Sequence, residues 1–158
     1  MIKEKVQNII DEVFPKIEKH YGFSKFQECT PYVELHKNIY EKYSGEEGAS
    51  GDEDGCHAEY CSMMNEISIY YPNMKSRKMI IETLIHEYIH YLQSPTWFKR
   101  YYDQYGHDYT THPYEIEATS FEKAVSYTHL RAHETPEHRV FRLLRVKKKG
   151  GGGGGGGG

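Results

Sequence analysis

The segment LIHEYIHYLQ limits the folds open to this chain more than any other, because it places His86, Glu87 and His90 in the pattern H-E-x-x-H. Apolar residues recur around it at helical spacing, and they are Ile81, Leu84, Ile85, Tyr88, Ile89 and Leu92. At about 100° per residue, the two histidines lie roughly opposite the middle of that apolar stripe. The sequence therefore predicts a helix that is capped by Ser76 and runs to about Gln93. It buries one face and carries both histidines on another.

Two histidines four residues apart on a helix lie one above the other, so both imidazoles can reach one metal ion. Catalytic zinc takes three protein ligands and keeps a further position for water. Glu87 follows the first histidine and can take a proton from that water before passing it to a leaving amine. The pattern predicts His86 and His90 as zinc ligands and Glu87 as the general base of a hydrolase.

The third zinc ligand is open to several interpretations. The metzincin continuation of H-E-x-x-H requires glycine at position 93 and histidine at position 96, where this chain has Gln93 and Thr96. That class is excluded. His107 and His112 follow in a segment without clear periodicity and can reach back to the helix, so both are candidates.

A carboxylate on the following helix is the commoner solution, and this chain offers Glu115 and Glu117. The two are about 200° apart around a helix, so only one can face the metal. Glu115 belongs to the first helical turn, where the helix dipole favours a carboxylate without any ligand role. Glu117 precedes Ala118, whose small side chain allows close helix approach. The sequence favours Glu117 over Glu115, with the loop histidines behind both.

Residues 125–158 differ in character from the rest of the chain. The stretch VSYTHLRAHET, from Val125 to Thr135, matches one reading frame of a common transposase-based sequencing adapter without a mismatch, and nine consecutive glycines end the chain. A glycine run cannot bury a core. We interpret residues 125–158 as a non-native, disordered tail and exclude its three histidines as ligands. Residues 1–124 are then one domain, truncated within its last helix.

Charge and composition exclude several partners. Without the seven basic and two acidic residues of the tail, the chain carries 13 basic and 21 acidic residues, a net charge of −8. An acidic domain is a poor candidate for binding nucleic acid or an anionic membrane. Hydrophobic residues make up only 37% of the chain, and the N-terminal stretch MIKEKVQNIIDEVF lacks the apolar core of a signal peptide. We expect a cytoplasmic protein, in a cell or an infected one.

Hydrophobic patterning predicts an α+β fold. An amphipathic helix is expected over residues 2–20, ending near Gly22, because five apolar residues recur at helical spacing: Val6, Ile9, Ile10, Val13 and Ile17. Residues 97–111 are aromatic and irregular, and Pro113 suits the first turn of a last helix.

Alternation of apolar and polar residues predicts three strands, at residues 32–36, 58–63 and 66–71. Asn65 suits the turn between the last two. In the third strand, Ile67, Ile69 and Tyr71 are expected on one face and the residues between them on the other. Residues 45–55 are glycine-rich and acidic, which is typical of a mobile loop.

HEYIH followed by PYEIEA resembles the gluzincin metallopeptidases, in particular the small single-domain ones of the ImmA/IrrE-like and phage-encoded kind. The resemblance covers most of residues 1–124. It implies a zincin-like (minigluzincin) fold: an N-terminal helix, a small mixed sheet with an exposed edge strand, the H-E-x-x-H helix and a glutamate-bearing helix. It also implies a zinc metalloendopeptidase in which His86, His90 and Glu117 hold Zn²⁺ and Glu87 is the base.

The same resemblance implies how substrate is bound. In that family the strand before the active-site helix is an exposed edge that takes up an extended peptide or protein segment, a role that maps onto residues 66–71. Tyr109, His112 and Tyr114 are candidates for stabilising the transition state. Two other functions fit the residues: a regulatory or interaction protein that keeps the fold without peptidase activity, and a zinc hydrolase of a non-peptide bond.

Overall fold

The computed structural model describes residues 1–44 and 55–131. The chain divides into two units, Met1–Glu122 and Lys123–Gly158. The site described below lies in the first unit. The described helices are α1 (Lys3–Tyr21), α2 (Ile39–Ser44), α3 (Arg77–Leu92), α4 (Pro95–Tyr105) and α5 (Pro113–Arg131); the strands are β1 (Tyr32–His36), β2 (Ala58–Cys61) and β3 (Glu66–Tyr70). The predicted α+β class is confirmed. None of these helices combines the length and apolar character that crossing a membrane requires.

Helix α1 buries the apolar stripe that the sequence predicts for it. Each residue of the stripe is 8% exposed or less, and they are Val6, Ile9, Ile10, Val13 and Ile17. The helix ends at Gly22, whose φ of 78° suits glycine because it has no Cβ. The Tyr88 hydroxyl of α3 donates a hydrogen bond to the Gly22 carbonyl oxygen at 2.6 Å, and its ring packs edge-on against Phe14. These contacts fix α1 on the histidine-bearing helix.

The sheet has the strand order β1-β3-β2. Strand β1 runs parallel to β3, and β2 runs antiparallel to it, so that Val33 and Tyr60 flank Ile67 on its two sides. Asn65 adopts a positive φ of 50° in the turn between β2 and β3, and its side-chain amide donates to the Cys29 carbonyl oxygen at 2.9 Å. The predicted turn is confirmed.

Strand β3 is the central strand, which corrects the prediction that residues 66–71 form an exposed edge for peptide binding. Both of its hydrogen-bonding sides are taken by neighbouring strands, and its last four residues are buried. Tyr71, which the sequence places at the end of the strand, begins a short 3-10 turn instead. Periodicity reports the face on which a residue lies and not which strands pair, so the sequence does not reveal the parallel pairing with β1.

Helix α3 begins after Ser76, whose Oγ accepts a hydrogen bond from the Met79 N–H at 3.1 Å. The predicted cap is therefore confirmed. The helix contacts α1, β2 and β3. Toward β2, the Tyr91 ring lies edge-on to Tyr60 with ring centroids 6.2 Å apart, and the Tyr91 hydroxyl accepts from the Ser24 N–H at 3.2 Å. The helix that carries the histidines is thus anchored on the sheet and on α1.

Helix α4 occupies a segment for which the sequence predicts irregular structure. The Ser94 Oγ accepts from the Trp97 N–H at 3.3 Å, Pro95 takes the first helical position, and Gly106 ends the helix with a φ of 89°. None of its residues is buried. Its aromatic rings pack mostly against one another and against the start of α5. The segment does not have the apolar stripe of a core helix, so hydrophobic periodicity does not predict a helix there.

Helix α5 continues to Arg131, into the segment that the sequence predicts to be disordered. Neither glycine nor proline occurs between Pro113 and Pro136, so nothing in the local sequence stops a helix before Arg131. The remainder of the predicted tail, residues 132–158, and the loop at residues 45–54 lie outside the described residues.

Candidate metal centre

His86 and His90 meet on one face of α3, as their spacing predicts. Their ring centroids are 4.8 Å apart and their Nε2 atoms 3.1 Å apart. The two side chains are 16% and 9% exposed, respectively. Two imidazole nitrogens are therefore held side by side in a largely shielded position.

Glu115, in the first turn of α5, completes a group of three. Its Oε2 lies 3.2 Å from the Nε2 of His86 and 3.2 Å from that of His90. Ligand atoms bound tetrahedrally to zinc at about 2.0–2.1 Å lie roughly 3.3 Å from one another. The three observed separations are close to this value, and among the described residues this is the one His/Cys/Asp/Glu group with metal-site spacing. The donor set and its spacing fit zinc.

The preference for Glu117 as third ligand is corrected by this geometry, since Glu115 is the glutamate that the fold brings to the histidines. Ala118 is fully buried and marks the face of α5 that turns inward. Glu115 lies three residues before Ala118 and shares that face, whereas Glu117 is its immediate neighbour and lies about 100° away. Ala118 does indicate the inward face of α5. The glutamate on that face is Glu115, at helical spacing, and not the adjacent Glu117.

The two loop histidines are not at the centre. His107 is exposed and stacks on Tyr102, with ring centroids 5.2 Å apart. His112 is fully buried, and both of its ring nitrogens are bonded to main-chain groups, of Phe98 and Tyr114. Neither histidine belongs to the group formed by His86, His90 and Glu115.

The three candidates for stabilising a transition state differ in exposure, and His112 is fully buried. Tyr109 is 57% exposed, and the Tyr114 ring packs on Trp97 at 4.4 Å. Burial raises the pKa of Tyr102, which the sequence does not single out, and the charge of Glu115 raises it further.

Two residues that the sequence did not reveal fix the histidine tautomers. The Glu122 Oε2 lies 2.7 Å from the His86 Nδ1, and the Gln93 Oε1 lies 2.7 Å from the His90 Nδ1. Carboxylate and amide oxygens only accept, so each Nδ1 carries the proton and donates it. With Nδ1 protonated, Nε2 is in each ring the nitrogen that can present a lone pair to the centre once its own proton is displaced. Helical spacing offers a signal in retrospect, because Glu122 follows Glu115 by seven residues and Gln93 follows His90 by three.

Replacing Glu122 with alanine is expected to weaken zinc binding about 10–100-fold, because the His86 ring loses the partner that fixes its tautomer and orientation. Glu122→Gln retains an acceptor for the Nδ1–H and should lose clearly less. Competition with a chelating dye measures both affinities. An alanine variant that binds zinc as tightly as the wild type would show that Glu122 does not orient His86.

The ionisable groups of the centre influence one another strongly. Burial lowers the pKa of His86, but hydrogen bonds with Glu115 and Glu122 outweigh this and raise it to about 10. Burial opposes protonation of His90 too, while its bond with Glu115 leaves the pKa raised. Burial raises the pKa of Glu115, but the two histidines bring it down to about 2. Two protonated Nε2 atoms would repel each other at 3.1 Å, so a single divalent cation satisfies the group better than protons do.

Zinc affinity is expected to rise with pH between about pH 6 and 8. The pKa of His86 is raised to about 10, so its proton is bound throughout this range and zinc must displace it. Displacement of one proton corresponds to roughly a tenfold gain in affinity per pH unit. The same chelator competition, repeated at each pH with the chelator's own protonation taken into account, measures the slope. A zinc affinity that does not change with pH would contradict the assignment of the two histidines as ligands.

Glu87, which the sequence predicts as the general base, is an almost completely buried carboxylate. It is only 7% exposed, and it follows His86 directly on α3. Burial raises its pKa; the charges of His90 and His86 act in the opposite direction, and that of Glu115 raises it again. A raised carboxylate pKa moves toward neutral pH, where proton transfer in both directions is efficient.

No family model matches the chain, and neither a curated protein nor a solved structure is similar to it at a significant level. The function has to be inferred from the geometry of the centre.

Proposed function

We propose that the chain is a zinc-dependent metalloendopeptidase. The observation that carries this proposal is the convergence of the Nε2 atoms of His86 and His90 and the Oε2 of Glu115 within 3.2 Å of one another. Since both Nδ1 protons are donated elsewhere, the two Nε2 atoms and a carboxylate oxygen face one point, an arrangement that a divalent cation stabilises. Three protein ligands leave a position for water, which supports a catalytic site over a structural one.

Each residue of the centre then has a chemical task. Zinc held by these atoms would supply a Lewis acid that polarises a peptide carbonyl and lowers the pKa of water to about 7. Glu87 takes the proton of the attacking water and passes it to the nitrogen of the leaving amine, which cannot depart as an anion. Its burial shields that proton from bulk solvent. Glu122 and Gln93 keep the imidazoles in the required tautomer.

Strand β2 replaces β3 as the proposed binding edge for an extended peptide. It lies at an edge of the sheet, pairs with β3 within the described residues, and contacts the histidine-bearing helix α3. A peptide that adds to such an edge is held by main-chain hydrogen bonds, which suits a protein segment of varied sequence.

A hydrogen-bonded group holds β2 in place. The Glu59 Oε1 accepts from the Lys42 Nζ at 2.6 Å, from the Tyr43 hydroxyl at 2.8 Å and from the Tyr70 hydroxyl at 3.0 Å. These donors belong to α2 and to the central strand β3. The strand next to α3 is thus tied to two other elements through one carboxylate, which supports its role as a fixed edge.

A substrate panel tests the proposal. The zinc-loaded full chain is incubated with a peptide library made from a whole proteome, and with esters and phosphoesters in parallel. New peptide termini are expected by mass spectrometry, lost on chelation and restored by zinc. Hydrolysis restricted to non-peptide substrates would assign a different zinc hydrolase. Zinc binding without any hydrolysis would support the regulatory or interaction role.

A further inference from the structure

His112 is a buried histidine that takes no part in the chemistry proposed above. It is 0% exposed and lies between α4 and α5. Aromatic rings of α4 surround it: Phe98 is stacked on it with ring centroids 4.4 Å apart, and Tyr101 and Tyr102 lie at 4.5 and 4.6 Å. Burying a polar imidazole costs free energy unless both nitrogens are hydrogen-bonded.

Both nitrogens of His112 are satisfied in a single tautomer. The Tyr114 N–H donates to Nδ1 at 3.0 Å, so Nδ1 carries a lone pair. Nε2 then carries the proton and donates it to the Phe98 carbonyl oxygen at 3.0 Å. The first bond caps the N-terminus of α5, and the second ties the ring to the backbone of α4. One side chain therefore joins the two helices.

The capped turn carries the third ligand. The main-chain oxygen of His112 accepts from the N–H of Glu115 at 3.0 Å and from that of Ile116 at 3.1 Å. This turn has little apolar anchoring of its own, because Pro113 is exposed and Ile116 is 56% exposed. Hydrogen bonds, together with the packing of the Tyr114 ring on Trp97, therefore hold the start of α5.

The turn is also held from the histidine side. The Gln93 Nε2 donates to the Tyr114 carbonyl oxygen at 3.0 Å while its Oε1 bonds to His90. The Phe98 ring lies edge-on to His90, with ring centroids 5.4 Å apart. The Tyr114 main chain, one residue before Glu115, is therefore clamped between His112 and Gln93.

We propose that His112 is a positioning residue, which sets the place of the Glu115 carboxylate against His86 and His90 and so raises zinc affinity without touching the metal. The inference rests on the metal centre of the proposed function, and it holds whichever bond the enzyme cleaves. Removing the two ring hydrogen bonds frees the first turn of α5, and the Glu115 ligand is then no longer prepositioned.

A double-mutant cycle on the full chain separates positioning from general support of the fold. Zinc affinity is measured for the wild type, His112→Phe, Glu115→Ala and the double variant. Phenylalanine fills the aromatic surroundings and removes both hydrogen bonds. A loss of about 10–100-fold is expected in the wild-type background. A change of less than about threefold is expected in the Glu115→Ala background, where nothing is left to position.

His112→Asn is the conservative variant, because its Oδ1 can stand in for Nδ1 and cap Tyr114. It should recover part of the affinity that phenylalanine loses. If circular dichroism shows that His112→Phe does not fold, the same cycle is run with His112→Asn. A loss of zinc affinity is again expected only in the chain that keeps Glu115. Equal losses in both backgrounds, or no loss in either, would overturn the inference.

The outcomes for the inference and for the proposed function are distinct. A wild-type chain that binds no zinc would overturn both. A chain that binds zinc and passes the cycle but cleaves no peptide would overturn the peptidase alone. A chain that cleaves peptide and shows additive losses would overturn only the positioning role of His112.

Discussion

The Glu87→Gln chain is expected to bind zinc as tightly as the wild type and to hydrolyse peptide about 10²–10⁴ times more slowly. Glutamine has the size of glutamate but cannot accept the proton of the attacking water. Because Glu87 is 7% exposed and packed beside His86, a replacement of equal size should preserve its surroundings. The measurement is the kcat of zinc-loaded chains on a peptide that the wild type cleaves, with zinc content determined on the same samples.

Glu82→Gln is the matched control, since it makes the same change on the same helix. Glu82 pairs with Lys78 at 3.5 Å and does not belong to the metal centre. Its rate should stay within about twofold of the wild type, as for other surface substitutions. A Glu87→Gln chain that keeps the wild-type rate with zinc bound would remove Glu87 from the mechanism and leave the metal centre without its base.

The second large effect is expected at the third ligand. Glu115→Ala should weaken zinc binding by more than about 100-fold, since loss of a mere hydrogen-bond partner of a ligand already costs 10–100-fold. Glu117→Ala should change affinity by less than about twofold. The two variants make the same substitution two residues apart on one helix, so differences in helix propensity cancel between them. Chelator competition at pH 7 measures both.

Thermal unfolding of the zinc-free variants provides the control for this pair. Removing Glu115 also removes its hydrogen bonds to both histidines, so circular dichroism must show that α5 and the rest of the fold persist. If Glu117→Ala binds zinc more weakly than Glu115→Ala does, the third ligand is Glu117, which the sequence favours. That result would contradict the geometry described above.

The elements that local sequence determines were predicted well. Helix α3 carries its own apolar stripe, its Ser76 cap and its H-E-x-x-H pattern, so its position and the pairing of His86 with His90 follow from periodicity alone. The apolar stripe of α1 and the Asn65 turn are equally local. These features need no knowledge of how distant segments pack.

The features that depend on tertiary arrangement could not be read from the sequence. Helix geometry showed that only one of Glu115 and Glu117 can face the histidines, but not which one, because this depends on how α5 is rotated by its capped first turn. The strand order also depends on tertiary arrangement, because β1 pairs with β3 from a distant part of the chain. Glu122 was missed because its role depends on where His86 points its Nδ1.

A crystal structure of the zinc-loaded full chain, with an anomalous difference map at the zinc absorption edge, tests the metal centre most directly. The account predicts one peak on α3, about 2.0–2.2 Å from the Nε2 of His86, the Nε2 of His90 and a carboxylate oxygen of Glu115. A peak bound by Glu117, a peak elsewhere in the chain, or no peak in crystals grown with excess zinc would contradict it.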